Sequence, residues 1–223
     1  VERFIPENEI DFYSSSLVGG INFFLPGIVF LYQGQAIGMR DFRKKELNEF
    51  KDPTTFVMYE EQIKNGMTAE ESFARINLES REHARTPMQW NDTPNAGFST
   101  VEPWFAVNPN YHSINYEAQK KDPDSLYAFY KKMIALRKSG DFQELFIYGS
   151  FTPVYEEEPG IIAYRRSYDG RSVLIVNNAK PEETTLALPD TVKNMLLSNY
   201  DTVILNDGML RLKRYQTAVM ELL

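Results

Sequence analysis

Arg81 and Arg85, four positions apart in Ser80-Arg-Glu-His-Ala-Arg-Thr-Pro-Met-Gln-Trp90, are the residues whose type and spacing most readily point to chemistry in this chain. Flanking a helical turn, they can face one way. Their planar, forked donors suit bidentate recognition of hydroxyls, or of a carboxylate that orients them. Taken alone, the pair reads more readily as two surface arginines on a loop, and Pro87, Met88 and Trp90 as core packing. The other candidates offer less. Glu60-Glu61 and Glu70-Glu71 fall on predicted helices, while Glu156-Glu157-Glu158 and Glu182-Glu183 fall in predicted turns, and charge runs of this kind are solvated faces. His83 and His112 are the only histidines and lie far apart, so neither a metal site nor a cofactor is expected.

The 223 residues are 43% hydrophobic and 25% charged, the composition of a globular protein with room for one large domain or two small ones. Acids outnumber bases 31 to 24, so nucleic acid is excluded as a partner, because phosphate binding draws on a Lys/Arg surplus. A neutral ligand suits the chain better. The absence of Cys excludes disulfides and thiolate zinc sites and favours a reducing, cytoplasmic location. The longest apolar stretch, Ile21 to Leu31, is interrupted by Pro26 and Gly27 and falls well short of the roughly 20 residues that span a bilayer, so no membrane segment is expected. Val1 to Pro6 does not resemble a signal peptide, and further polypeptide is expected before it.

The elements that must position the arginines follow from periodicity. Ile10, Leu17, Val18, Ile21 and Phe24 recur at helical steps between Glu9 and Phe24. Pro26 stops that helix. Ile28-Val29-Phe30-Leu31-Tyr32 is a continuous β-branched and aromatic run, the pattern of a strand covered on both faces. Gln33 to Asp52 reads as a loop opened by Gly34 and Gly38. Two helices follow, the second with a capping box in Thr68-Ala-Glu-Glu71. Ser80 to Pro109, with its five prolines and glycines, is predicted to be irregular. Asp122-Pro123 reads as the start of a helix running through Leu126, Tyr130, Met133, Ile134 and Arg137 toward Gly140. Beyond Phe146, short runs at Ile161 to Tyr164, Ser172 to Val176, Thr184 to Leu188, Met209 to Leu212 and Thr217 to Leu222 are separated by turns such as Asp169-Gly170 and Asp207-Gly208, which predicts a separate antiparallel β domain.

Tyr32-Gln-Gly-Gln-Ala-Ile-Gly-Met39 and Arg81 to Trp90, followed by Asn95-Ala-Gly-Phe98 and Val107-Asn-Pro-Asn-Tyr111, resemble in order and spacing the last third of oligo-1,6-glucosidases of the α-amylase superfamily. The resemblance runs from about Gly20 to Gly149, and more loosely to the end. It implies a fold of class α/β plus all-β: residues 1–142 as the C-terminal portion of a (β/α)8 catalytic barrel, with its last strand at Ile28 to Tyr32 and last helix at Leu126 to Lys138, and residues 143–223 as an antiparallel β-sandwich domain. In such barrels the active site lies at the C-terminal ends of the strands, which places Gln33 and Gly34 at the pocket rim. The resemblance assigns Arg81 to gripping the terminal glucose of the innermost subsite, with Arg85 beside it, and adds His83 and Gln33 as substrate contacts. Ala36 stands where members usually carry Glu, and Glu82 where they usually carry Asp.

The implied activity is that of an exo-acting, retaining α-glucosidase, whose ligand is an α-linked gluco-oligosaccharide. The family's nucleophilic Asp, acid/base Glu and third Asp map onto no residue of this chain, so the isolated chain is expected to be inactive and to associate with the upstream fragment or with itself. Trehalose-6-phosphate hydrolases and sucrose isomerases share these motifs. A non-catalytic relative serving as a partner protein is a further alternative. A carbohydrate-binding β module is the weakest, since Tyr155, Tyr164, Tyr168 and Tyr200 show no spacing that demands a flat sugar platform.

Overall fold

An aspartate cap starts the first helix. The Asp11 carboxylate accepts the Ser14 N–H at 3.0 Å and the Ser14 hydroxyl accepts the Asp11 N–H at 2.9 Å, a reciprocal cap on α1, Phe12–Phe23. The computed structural model describes residues 4–223. Five further helices follow: α2 at Pro53–Lys64, α3 at Ala69–Glu79, α4 at Tyr116–Lys121, α5 at Leu126–Lys138 and α6 at Gln143–Tyr148. Strands β1 Ser150–Val154, β2 Ile161–Tyr168, β3 Arg171–Asn178, β4 Thr184–Ala187, β5 Val192–Ser198, β6 Ile204–Asn206, β7 Met209–Leu212 and β8 Thr217–Leu222 complete the order. These elements form two units, residues 4–31 with 122–223, and residues 32–121.

In the first unit two antiparallel sheets, ordered β1-β2-β3-β8-β5 and β4-β7-β6, make a sandwich. Ile161, Ala163, Leu174, Val176, Ala218, Met220 and Leu222 from one sheet meet Leu186, Leu210 and Leu212 from the other. The central strands β3 and β8 are apolar without alternation because the face turned away from the small sheet is covered too. Gly19 and Gly20 of α1 explain how close that cover sits: a Cβ on Gly20 would stand 2.4 Å from the Thr217 hydroxyl oxygen of β8, and one on Gly19 would stand 2.8 Å from the Tyr130 hydroxyl of α5. The β2–β3 and β6–β7 hairpins turn on Asp169-Gly170 and Asp207-Gly208, whose φ angles of 46°, 75°, 49° and 74° fit the two-residue hairpin turn that matches strand twist.

Arg166 is fully buried, and it forms no ion pair with a carboxylate among the described residues. Its guanidinium donates instead to five carbonyls: Phe24 at the end of α1, Leu145, Phe146 and Gly149 at the end of α6, and Ser150 of β1. Helix C-termini carry the negative end of the dipole and unpaired carbonyls, so one cation satisfies two of them. Arg137 of α5 adds bonds to Phe23, Leu25 and Gly27.

Two expectations need correction. The run from Ile28 to Tyr32 belongs to no sheet, and Ile28 and Phe30 are 84% and 81% exposed. A strand exists through hydrogen bonds to a neighbour, and none of the described strands pairs with this run. The helix expected from Asp122-Pro123 begins instead at Leu126, because Ser125 provides the cap, its hydroxyl accepting the Ala128 N–H at 3.1 Å, while Asp122 closes a turn before it. Starting there places Leu126, Phe129, Tyr130 and Met133 on the buried face at once. None of the described helices is long and apolar enough to cross a membrane.

Candidate functional site

The second unit holds the arginines. Ser80 ends α3, and its hydroxyl accepts the Glu82 N–H at 3.2 Å, starting a 3₁₀ turn over Arg81–Arg85. In a 3₁₀ turn residues three apart eclipse, so Arg81 and Arg85 do not leave the backbone in one direction. An acid gathers them. Asp52 Oδ2 accepts from Arg81 Nη2 at 2.9 Å and from Arg85 Nη1 at 2.7 Å. Asp52 is also the cap of α2: its Oδ1 accepts the Thr54 N–H at 3.0 Å and the Thr54 hydroxyl at 2.7 Å. The Thr54 hydroxyl in turn accepts a bond from Arg81 at 2.7 Å.

This environment fixes Asp52's charge. The Thr54 hydroxyl, then the Thr54 N–H and the Arg85 and Arg81 guanidiniums, hold the carboxyl at about 2, against burial, which acts in the opposite sense. Asp52 is therefore an anion at any ordinary pH. The arginines are not consumed by it, since their side chains remain 59% and 43% exposed and each commits only part of its fork.

Gln33 reaches the same segment. Its side-chain amide donates to the Ala84 and Thr86 carbonyls at 3.4 Å each, and the Tyr32 hydroxyl donates to Ala84 at 2.9 Å. His83 is engaged elsewhere: its Nε2 lies 2.8 Å from the Asn77 carbonyl, which Arg43 also contacts, and its Nδ1 is buried without a partner. The structure thus brings Arg81, Arg85 and Gln33 to one short stretch of chain and turns the His83 ring to the end of α3. The companion motifs hold the frame. Asn108 donates to the Arg40 and Asp41 carbonyls, and Gln89, fully buried, donates to Asn110 and Ile114.

Asp52 is the site residue that sequence reasoning missed. A signal was present, since Asp52-Pro53 is the same cap signature that was read at Asp122-Pro123, where no cap forms. Ala36 lies in a 3₁₀ turn over Gln35–Ile37, between Gly34 and Gly38 in left-handed conformation. Glu82 is 1% exposed and turns inward, its Oε1 accepting the Lys51 and Asp52 N–H groups.

With this geometry in hand, comparison with known proteins gives a consistent result. Residues 4–145 match the family described as Alpha amylase, catalytic domain, and residues 161–219 match the Alpha-amylase SusG C-terminal domain. An oligo-1,6-glucosidase of Bacillus cereus is 34% identical over 227 aligned positions, covering 100% of this chain and 40% of that protein. A trehalose-6-phosphate hydrolase of Escherichia coli is 32% identical, covering 82% of this chain and 32% of that protein. Among solved structures, the trehalulose synthase of Pseudomonas mesoacidophila is 31% identical with a TM-score of 0.88, covering 95% of this chain and 38% of that one. The isomaltulose synthase of Klebsiella is 31% identical with a TM-score of 0.86, covering 95% and 38%. The chain spans about a third to two fifths of the length of these relatives. It is the C-terminal portion of a (β/α)8 barrel followed by an antiparallel β-sandwich. Because the catalytic-domain match alone takes in well over half of the chain, this protein belongs to the α-amylase family.

Proposed function

We propose that this chain supplies the glucose-gripping arginines of an exo-acting, retaining α-glucosidase of the oligo-1,6-glucosidase kind. The observation that carries the reading is the convergence of Arg81 and Arg85 on one buried carboxylate with their outer donors exposed. Asp52 compensates part of their charge, so the pair suits neutral hydroxyls better than an anion. Gln33 frames the pair, and His83 supports the backbone.

The chain does not carry the reaction by itself. Retaining glycosidases use two carboxyl groups about 5 Å apart, one of which must hold a proton to give to the leaving oxygen. Of the acids beside the arginines, Asp52 fails that requirement, its carboxyl held near 2, and Glu82 is turned inward onto backbone N–H groups, away from the exposed donors of the pair.

The test uses the purified, mass-verified chain. An aryl α-glucoside is expected to show no turnover, while methyl α-glucoside at millimolar concentration perturbs the Arg81 and Arg85 side-chain NMR signals in the wild type and leaves the Arg85 signal of Arg81→Leu unmoved. Turnover by the isolated chain, or an identical response from Arg81→Leu, overturns the reading.

A further inference from the structure

We propose that Glu82 is a positioning residue for the arginine pair: by holding the Lys51 and Asp52 N–H groups it sets the angle at which Asp52 meets both guanidiniums. Three observations converge on this. Glu82 is 1% exposed, and its Oε1 accepts both consecutive main-chain N–H groups at 2.5 Å. One of them belongs to Asp52 itself, so the grip fixes the residue whose Oδ2 receives Arg81 and Arg85. Glu82 also lies inside the Arg81–Arg85 turn, on the opposite side of the exchange: the turn sends its two arginines to Asp52's side chain and its glutamate to Asp52's backbone. The result is a closed clasp between residues 51–54 and 81–85, in which side chains from one segment grip both backbone and side chain of the other.

The clasp is built on reach. Glu82 stands at the end of its side chain against the two N–H groups, with Oε2 buried and without a partner. Leaving a buried carboxylate oxygen unpaired is costly, and such a cost persists in a fold where the other oxygen does something the fold requires. Lys44, 7% exposed, compensates the charge from nearby: burial pushes its pKa down, and Glu82 acts against that push. Aspartate at this place keeps the charge and loses about 1.5 Å of reach, one carbon–carbon bond. Glutamine keeps the reach and an acceptor oxygen but loses the charge. The two replacements therefore separate positioning from charge.

What the clasp means for sugar recognition rests on the reading proposed above, but its own test does not. The titration of the Asp52 carboxyl is followed by carbon-detected NMR in the wild type, Glu82→Asp and Glu82→Gln forms of the chain. Expected: Glu82→Asp moves the midpoint up by about one pH unit toward the ordinary aspartate range, because the carboxylate loses its aim at the donors that favour its charged form, while Glu82→Gln, which keeps the reach and removes a like charge, leaves it in place or lowers it. If Glu82 acts only through charge or packing, Glu82→Asp leaves the midpoint within about 0.3 unit of the wild type, and that result overturns the proposal, as does a larger rise in Glu82→Gln than in Glu82→Asp. A methyl α-glucoside titration that fails in the wild type while the Asp52 midpoints move as expected removes the sugar reading and leaves the clasp standing.

Discussion

Replacing Asp52 with asparagine isolates what its negative charge does. Asparagine has nearly the shape of a protonated aspartate and caps helices as well as aspartate does, so the start of α2 is kept while the charge between two guanidiniums is removed. The magnitude follows from the same environment. Going from an ordinary 3.8 to about 2, at about 1.4 kcal/mol per pH unit, gives roughly 2.5 kcal/mol of preference for the ionised form. Solvent at the half-exposed Arg81 and Arg85 screens part of it, leaving about 1–2 kcal/mol.

The sign is fixed by the direction of the shift. A carboxyl whose folded value lies below its unfolded one stabilises fully above about pH 4, and the contribution fades as the pH falls from 4 toward 2. Native-state hydrogen exchange reads this locally, at the Lys51, Asp52 and Thr54 amides, each bonded to a side chain of the clasp. At pH 7 Asp52→Asn is expected to speed their exchange about 5- to 30-fold after correction for intrinsic rates, and the ratio to shrink toward one only as the pH approaches about 2. Exchange within twofold of the wild type at pH 7, or a ratio that does not change on acidification, refutes the reasoning.

Two further substitutions test the other unit. Arg166→Met removes a buried cation from five carbonyls, of which Leu145 keeps the Gly149 N–H, so urea unfolding at pH 7 is expected to lose about 3–5 kcal/mol; a loss under about 1 kcal/mol means that water replaces the guanidinium. Gly20→Ala drives a methyl against Thr217 and is expected to cost about 1–3 kcal/mol, most of it recovered in the double variant with Thr217→Ala; purely additive losses contradict a steric origin.

Local physics made much of this fold legible. The Thr68–Glu71 box closes as read, with the Glu71 carboxylate accepting the Thr68 N–H at 2.8 Å, and both Asp-Gly dipeptides sit at tight hairpins. The strands the sequence did not reveal are β1, β5 and β6, all of them at sheet edges. An edge strand buries little, so it carries no apolar alternation to be read: β1 is exposed along nearly its whole length and contains Pro153, β5 has register shifts beside Lys193 and Asn194, and β6 is exposed throughout. Ile28 to Tyr32 fails for the complementary reason. Its composition reads as a strand, but pairing is a property of two segments. Asp52 is legible as a cap, but its role as counter-ion is not, because its partners lie 29 and 33 residues away and no local pattern says that a helix cap will also pair with two arginines.

That double duty has a consequence for recognition. A free arginine side chain has about 2 kcal/mol of rotamer entropy to lose when it grips a ligand. Here the Asp52 carboxylate, itself fixed by the α2 cap and by Glu82, already restrains both guanidiniums, so part of that loss is incurred on folding and not on binding. Under the proposed reading, a sugar would meet donors that are oriented, partly neutralised and still half-exposed. If the arginines grip glucose as proposed, a methyl α-glucoside titration is expected to weaken more in Asp52→Asn than in any other variant outside the arginines, although Asp52, buried beneath them, need not touch the sugar; unchanged affinity in Asp52→Asn contradicts this.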